Sequence, residues 1–245
     1  MLSGEVPRLI DEWQLVPSLW DAMRFTVDRR DEDGQFILTV SATPVDDNEK
    51  HHSGTGRIAR IVMRPMTLSE SGESSKQVSP CSLFDENYDV YGENSFQIDD
   101  LAYLCCRGGW PRACQADRKK ESSLMMAYEY IDSVADSAIT TSDGKTVNQM
   151  QMRSFLRFYA RNVGSQTPLP QMSADTSVAN VSFSQVTALN YHRHLHDIFV
   201  IEEMSAWKPN LRSRTAIRTS DTRYFSDPSL ALPVWAEVLT ILYQT

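Results

Sequence analysis

A short apolar run, Val6 to Ile10, stops at two adjacent carboxylates, Asp11-Glu12; residues 13–30 then carry a helical pattern, and a second apolar, β-rich run follows, Gln35 to Val40. Strand, helix and strand in that order predict parallel pairing, because a helical crossover returns the chain to run in the same direction. In a parallel sheet, function collects where the strands end at their carboxyl side. Asp11, Glu12 and the hydroxyls of Thr39, Ser41 and Thr43 all fall there. An Asp-Glu pair at a strand end has two readings. In phosphate-bond hydrolysis the Asp orients a magnesium shell and the Glu polarises the attacking water; otherwise the pair is a surface feature. The hydroxyls likewise either sense a γ-phosphate or satisfy loop backbone.

Beyond this unit, residues 43–56 are polar and loop-like, Arg57 to Met63 returns to strand-like alternation, and Pro65 stops it. Residues 69–95, rich in Ser, Asp, Glu, Asn and Gly, read as a linker. From Phe96 the pattern turns helical, with Ile98, Leu101, Ala102, Leu104 and Cys105 on one face and Gly108-Gly109 as the terminator. A second helix runs from Leu124 to Val134. Met150 to Val163 is amphipathic, with Phe155, Leu156, Tyr159 and Val163 on one face and Arg153, Arg157 and Arg161 elsewhere. A short helix at Leu169 to Thr176 and a longer one at Ser182 to His196, capped by Ser182 or Ser184, precede strands at Phe199–Glu203 and Thr222–Phe225. Helix, short helix, helix and ribbon is the order of a winged helix-turn-helix.

Charge separates along the same division. The 245-residue chain has a net charge of −8, but residues 1–144 carry −11 and residues 145–224 carry +5. A basic block on an acidic chain is either a polyanion-facing surface or a set of solvated arginines. If the Ser182–His196 helix and the ribbon enter a nucleic-acid groove, His192 and Arg193 with His196, and Lys208, Arg212, Arg214 and Arg218 with Arg223, are the candidate contacts. The competing reading turns that surface toward the acidic N-terminal part or a partner. His192 and His196 lie one helical turn apart, but H-E-x-x-H is absent and no metal is expected there. Arg57, Arg60 and Arg64 follow the Gly54-Thr55-Gly56 loop and either stabilise charge on a phosphoryl group, in the same or a neighbouring subunit, or form ordinary salt bridges. No Gly-x-x-x-x-Gly-Lys-[Ser/Thr] occurs, and Gly144-Lys145-Thr146 is a decoy with Ile139 where the first Gly should stand. The four cysteines lack C-x-x-C spacing, which excludes a disulfide framework and a structural zinc site. With no apolar run near 20 residues and no signal-peptide pattern, the expected setting is the cytoplasm, without a membrane.

Arg8-Leu-Ile-Asp-Glu-Trp-Gln14, Phe36-Ile-Leu-Thr-Val-Ser-Ala-Thr-Pro44, Ser53-Gly-Thr-Gly-Arg57 through Met63-Arg-Pro65, Gly108-Gly-Trp-Pro111, and Phe199-Val-Ile-Glu-Glu through Asp227-Pro-Ser229 together carry a resemblance. Over about residues 3–231 the chain resembles the bacterial and archaeal AAA-type ATP-binding proteins that join a P-loop ATPase core to a C-terminal domain of unknown function. The resemblance implies Asp11 and Glu12 as Walker B acids, Asp11 on Mg2+ and Glu12 catalytic. It implies Phe36 to Ser41 as the sensor strand, with Thr39 and Ser41 at the nucleotide, Arg57 as the arginine that reads the phosphate, and ATP and Mg2+ as cofactors. Family members usually have Gly where this chain has Val40, which implies a distorted sensor turn and strain at Val40. They also carry the P-loop strand before the Walker B strand and an α/β region after Asp-Pro-Ser, so the chain reads as an internal fragment truncated at both ends.

The expected architecture is therefore α/β and then mostly α. It comprises the C-terminal part of a P-loop ATPase core with parallel strands (1–70), a linker (71–95), a helical lid (96–145), a winged-helix domain (146–231) and a divergent tail (232–245). The expected function is that of an ATPase fragment, inactive in hydrolysis on its own. The alternatives are a DNA-binding winged-helix module without enzymatic activity, or a non-functional remnant with an exposed apolar sheet edge. DNA and self-association are the expected partners.

Overall fold

The computed structural model describes residues 4–43, 56–84, 91–136, 148–171, 184–206 and 220–234. Its backbone divides into two compact units, residues 1–63 with 195–199, and residues 64–194 with 200–245.

In the first unit β1 (Arg8–Ile10) pairs in parallel with β2 (Phe36–Leu38), in the register Arg8↔Phe36, Leu9↔Ile37, Ile10↔Leu38. The connection is not the single helix that its periodicity predicts. Residues Trp13–Leu15 form a 3-10 turn, and α1 begins only at Ser18 (Ser18–Arg30). Pro17 accounts for the restart, since it has no N–H to donate and is tolerated only where a helix begins. The helix closes on Asp31, left-handed at φ 53°, whose N–H bonds Val27 O. Trp13, Trp20 and Met23 are buried, and the two indoles stack at 5.0 Å. Parallel strands are normally covered on both faces. Here the paired Leu9 and Ile37 stay 62% and 53% exposed. The strand expected at Arg57 to Met63 is absent from the described residues 56–63, where Ile61 and Met63 stand almost wholly exposed. An extended segment becomes a strand only by pairing, and this one has no ladder neighbour among the described residues.

The second unit is mostly helical: α2 (Ile98–Arg107), α3 (Lys120–Asp136), α4 (Gln149–Arg161) and α5 (Gln185–Asp197), whose last turn groups with the first unit. The side chains of Asn148 and Ser184 cap α4 and α5, accepting from Gln151 N (3.2 Å) and Thr187 N (3.1 Å). The described part of the segment expected as a short helix is helical at residues 169–171. β3 (Ile201–Met204) and β4 (Thr222–Phe225) pair antiparallel, Ile201 opposite Phe225. α4 is the core element, because Met152, Phe155, Leu156 and Tyr159 are all fully buried. Phe155 meets Tyr191 of α5 edge-on at 6.0 Å, and Tyr159 meets Phe225 of β4 at 5.3 Å. Val163, expected on the same face, lies past the end of the helix and is 40% exposed.

The stripe expected to face inward on α2 is corrected by the structure. Ile98, Leu101, Ala102 and Cys105 are exposed, and the buried side is Leu104, Arg107, Gly108 and Gly109. Polar bonds select that side. The buried Arg107 guanidinium pairs with Glu73 and donates from Nε to Gly108 O (3.0 Å). Next to it, Gly109 N and Ser229 N donate to the two carboxylate oxygens of buried Asp227 (2.8 and 2.9 Å), and Trp110 Nε1 donates to Ser229 Oγ (3.0 Å). Met66 N then donates to Gly109 O at 2.7 Å. Two stretches singled out in the sequence, Gly108-Gly-Trp-Pro111 and Asp227-Pro-Ser229, are thus one hydrogen-bonded clasp.

Candidate functional site

The carboxyl ends of β1 and β2 bring together the acids and hydroxyls that the sequence singles out. Backbone pairing outlasts the strands by one step, with Thr39 N donating to Ile10 O (3.1 Å) and Trp13 N to Thr39 O (3.3 Å). The first carboxylate keeps the strand register, 28 positions from its partner: the Thr39 hydroxyl donates to Asp11 Oδ1. The second is displaced by one, with Ser41 Oγ donating to Glu12 Oε2 at 2.9 Å across 29 positions. The backbone explains the slip, because Glu12 is left-handed (φ 51°, ψ 44°) and turns the chain into the 3-10 turn. Val40, where the resemblance implies strain, is not in the left-handed region; at this strand end Glu12 takes that conformation. A non-glycine residue held so costs about 1–2 kcal/mol and persists only where its surroundings over-determine it. Buried Trp13 supplies that constraint, bonded to the end of β2 and stacked on Trp20 of α1.

The other candidate residues take different positions. Arg57 pairs through Nε with Asp28 Oδ1 on α1, and Arg24 adds a 3.7 Å contact to the same carboxylate. Arg64 pairs with Glu202 Oε2 at 2.8 Å. His192 lies partly buried with Nε2 3.1 Å from Glu203 Oε1, while Arg193 is exposed on the outer side of α5. Arg223, expected in the outward basic cluster, is corrected to a buried position. Its Nε lies 3.5 Å from the same Glu203 oxygen, and its Nη1 donates to Thr167 O. Burial pushes the neighbouring Tyr159 hydroxyl well above its ordinary pKa, and the Glu203 charge adds to the rise. Lys208, Arg212, Arg214 and Arg218 lie outside the described residues.

The side chains of Asp11, Glu12, Thr39 and Ser41 offer only oxygen atoms, the ligand type that suits a hard cation such as Mg2+. Among the described residues no three His, Cys, Asp or Glu side chains converge. Gln14, to which the sequence assigns no role, belongs to the site: its Nε2 donates to Glu12 Oε2. No spacing rule marks it, since the contact depends on the turn at Glu12.

Two family models match the chain. One, an AAA domain, covers residues 3–72, which include both strands and all four acid and hydroxyl groups described above. The other covers residues 98–236, more than half of the chain, and is described as a domain of unknown function, DUF8612. The chain belongs to the DUF8612 family. Its DUF8612 region takes in α2 to α5, the β3–β4 pair and the Gly109–Asp227 clasp. An AAA-like segment thus precedes a DUF8612 domain, and AAA domains in general use nucleotide and Mg2+. No curated protein and no solved structure matches it. Among the described residues no helix is long and apolar enough to cross a membrane.

Proposed function

We propose that residues 3–72 carry the acid half of a nucleotide-hydrolysing centre. The observation that carries this is the pairing of two consecutive carboxylates, each with a hydroxyl just beyond the neighbouring parallel strand, at the carboxyl ends of both strands. Asp11 would hold the magnesium shell through the oxygen that Thr39 leaves open. Glu12 Oε1 would take a proton from the attacking water, while Thr39 and Ser41 couple both acids to whatever lies beyond β2. Bound Mg2+ supplies counter-charge to the phosphates. Arg57 would reach a phosphate only by leaving Asp28. In a manganese titration of the labelled chain with ATP, the amides of Asp11, Thr39 and Ser41 should broaden first, and Asp11→Asn should abolish this. Broadening elsewhere, or unchanged in the variant, overturns the assignment.

Hydrolysis is a separate matter. A polyphosphate needs backbone amides and a lysine to cradle it, and the 245 residues contain no such motif. The expected result of a turnover assay is a background rate, the same in wild type and Glu12→Gln. A wild-type rate that vanishes in Glu12→Gln would sink this prediction.

A second reading concerns the 146–231 region, as a winged helix that contacts DNA. It is supported by the order α4, the turn at 169–171, α5 and the β3–β4 ribbon, and by Val186, Leu189 and Arg193 on the exposed side of α5. Duplex binding should then weaken steeply with salt and fall in Arg193→Ala and in the Arg212→Ala, Arg214→Ala double variant. Absence of binding at low salt would reject it.

A further inference from the structure

We propose that Gln14 is a positioning residue for Glu12, which together with Ser41 fixes one oxygen of the Glu12 carboxylate so that the other is presented to the reacting water; this rests on the hydrolytic reading of the site. Two donors from different segments converge on a single atom. Gln14 Nε2 comes from the 3-10 turn and Ser41 Oγ, 2.9 Å away, from the chain beyond β2, and both end on Glu12 Oε2. Among the described residues Oε1 receives no hydrogen bond, so the carboxylate is anchored by one oxygen and open at the other.

The orientation of the amide is determined by its partner. Gln14 Oε1 is buried with no hydrogen-bond partner, so the amide is oriented through its nitrogen. Turning it over would set its oxygen against the carboxylate, where two acceptors repel. The contact depends on the left-handed turn at Glu12, and that turn is clamped by Leu15 N on Glu12 O (3.0 Å) and by Trp13 on the end of β2.

A neutral donor is what a general base needs here. Lysine in its place would pair with Glu12 and lower its basicity, and glutamate would repel it. Two bonds to one oxygen remove rotation of the carboxylate, and misplacement of a catalytic group by about 1 Å is enough to cost about a hundredfold in rate.

The test uses the full chain and reads the Glu12 side chain directly, through carbon and nitrogen couplings that report its χ1 rotamer. Wild type is expected to show one rotamer and one downfield Gln14 amide proton. Gln14→Met, of similar shape and neutral but without the donor, and Gln14→Ala should both lower the population of that rotamer relative to the others about tenfold, the effect of losing one hydrogen bond to a charged group. Melting temperature and the Asp11–Thr39 signals should not move. Packing alone would be rescued by the similarly shaped methionine; hydrogen bonding would not. A single Glu12 rotamer in both variants overturns the proposal. The manganese titration reads the underlying site independently, because failure there leaves the Gln14 couplings measurable.

Discussion

Gly109→Ala is expected to destabilise the unit that contains residues 64–194 by about 3 kcal/mol, the upper part of the range for forced overpacking. A Cβ at this position would overlap Met66 O and stand 2.8 Å from Met66 N. Both are backbone atoms and cannot rotate away. The stretch of chain around Met66 would have to lift off, with loss of the 2.7 Å bond from Met66 N to Gly109 O and strain on the bond from Gly109 N to Asp227. Gly164→Ala is the control. That residue has φ +74° but nothing within 4 Å of the place a Cβ would occupy, so it should lose only about 1 kcal/mol, the conformational penalty. Urea unfolding followed by circular dichroism measures both. Equal losses in the two variants would show that the clasp is not close-packed.

The second large effect is expected at Glu73→Ala. Arg107 is about 6% exposed at its side chain and has Glu73 as its ion-pair partner, so removing the carboxylate strands a cation in the interior at a cost of about 3–5 kcal/mol. Replacing both residues with apolar groups should restore much of that loss, since the penalty belongs to the unpaired charge. The same pair gives a pH signature. Burial raises the pKa of Glu73, but hydrogen bonds from Arg107 and Ser71 and the charge of Arg107 outweigh it, and the net position is below the ordinary carboxyl value. A lowered folded-state pKa means that the stabilisation is fully present above the unfolded value of about 4.5 and is lost as pH falls through the folded one. Stability measured from pH 7 to pH 3 should therefore fall less steeply in Glu73→Ala than in wild type. Parallel acid limbs would assign the steepness to other carboxylates.

What could be read in advance follows the physics of each feature. The long helices α3, α4 and α5 and the strands β3 and β4 announce themselves by periodicity, which burial then enforces, whereas β1 and β2 are legible as apolar runs and are held by their pairing. Residues 57–63 have the pattern of a strand, yet pattern reports only capacity to pair. α2 misleads because its buried side is held by Arg107, Gly108 and Gly109, and no hydrophobic stripe marks a buried guanidinium. Gly108-Gly109 is legible as a helix stop, but the approach of Met66 to within 3 Å of Gly109 is not, since that contact joins distant segments. At the site, Asp11, Glu12, Thr39 and Ser41 can be named because strand ends in a parallel pair meet. Gln14 cannot, because it depends on one left-handed residue that propensity disfavours. His192 and Arg223 look outward on charge alone; Glu203, between them, turns both inward.

The clasp also orders events in time. Gly109 and its acceptor Asp227 are 118 positions apart, so the bond closes a loop that includes α3, α4, α5 and both strands of the ribbon. Contacts of such separation are slow to form, because the chain loses its freedom before the contact repays it. On a ribosome, α2 and the glycines behind it emerge long before Asp227 exists. Until then Arg107 already has Glu73 and Gly109 O already has Met66 N, but Gly109 N–H lacks its acceptor, and the clasp closes only once the 3-10 turn at Pro228–Leu230 has been made.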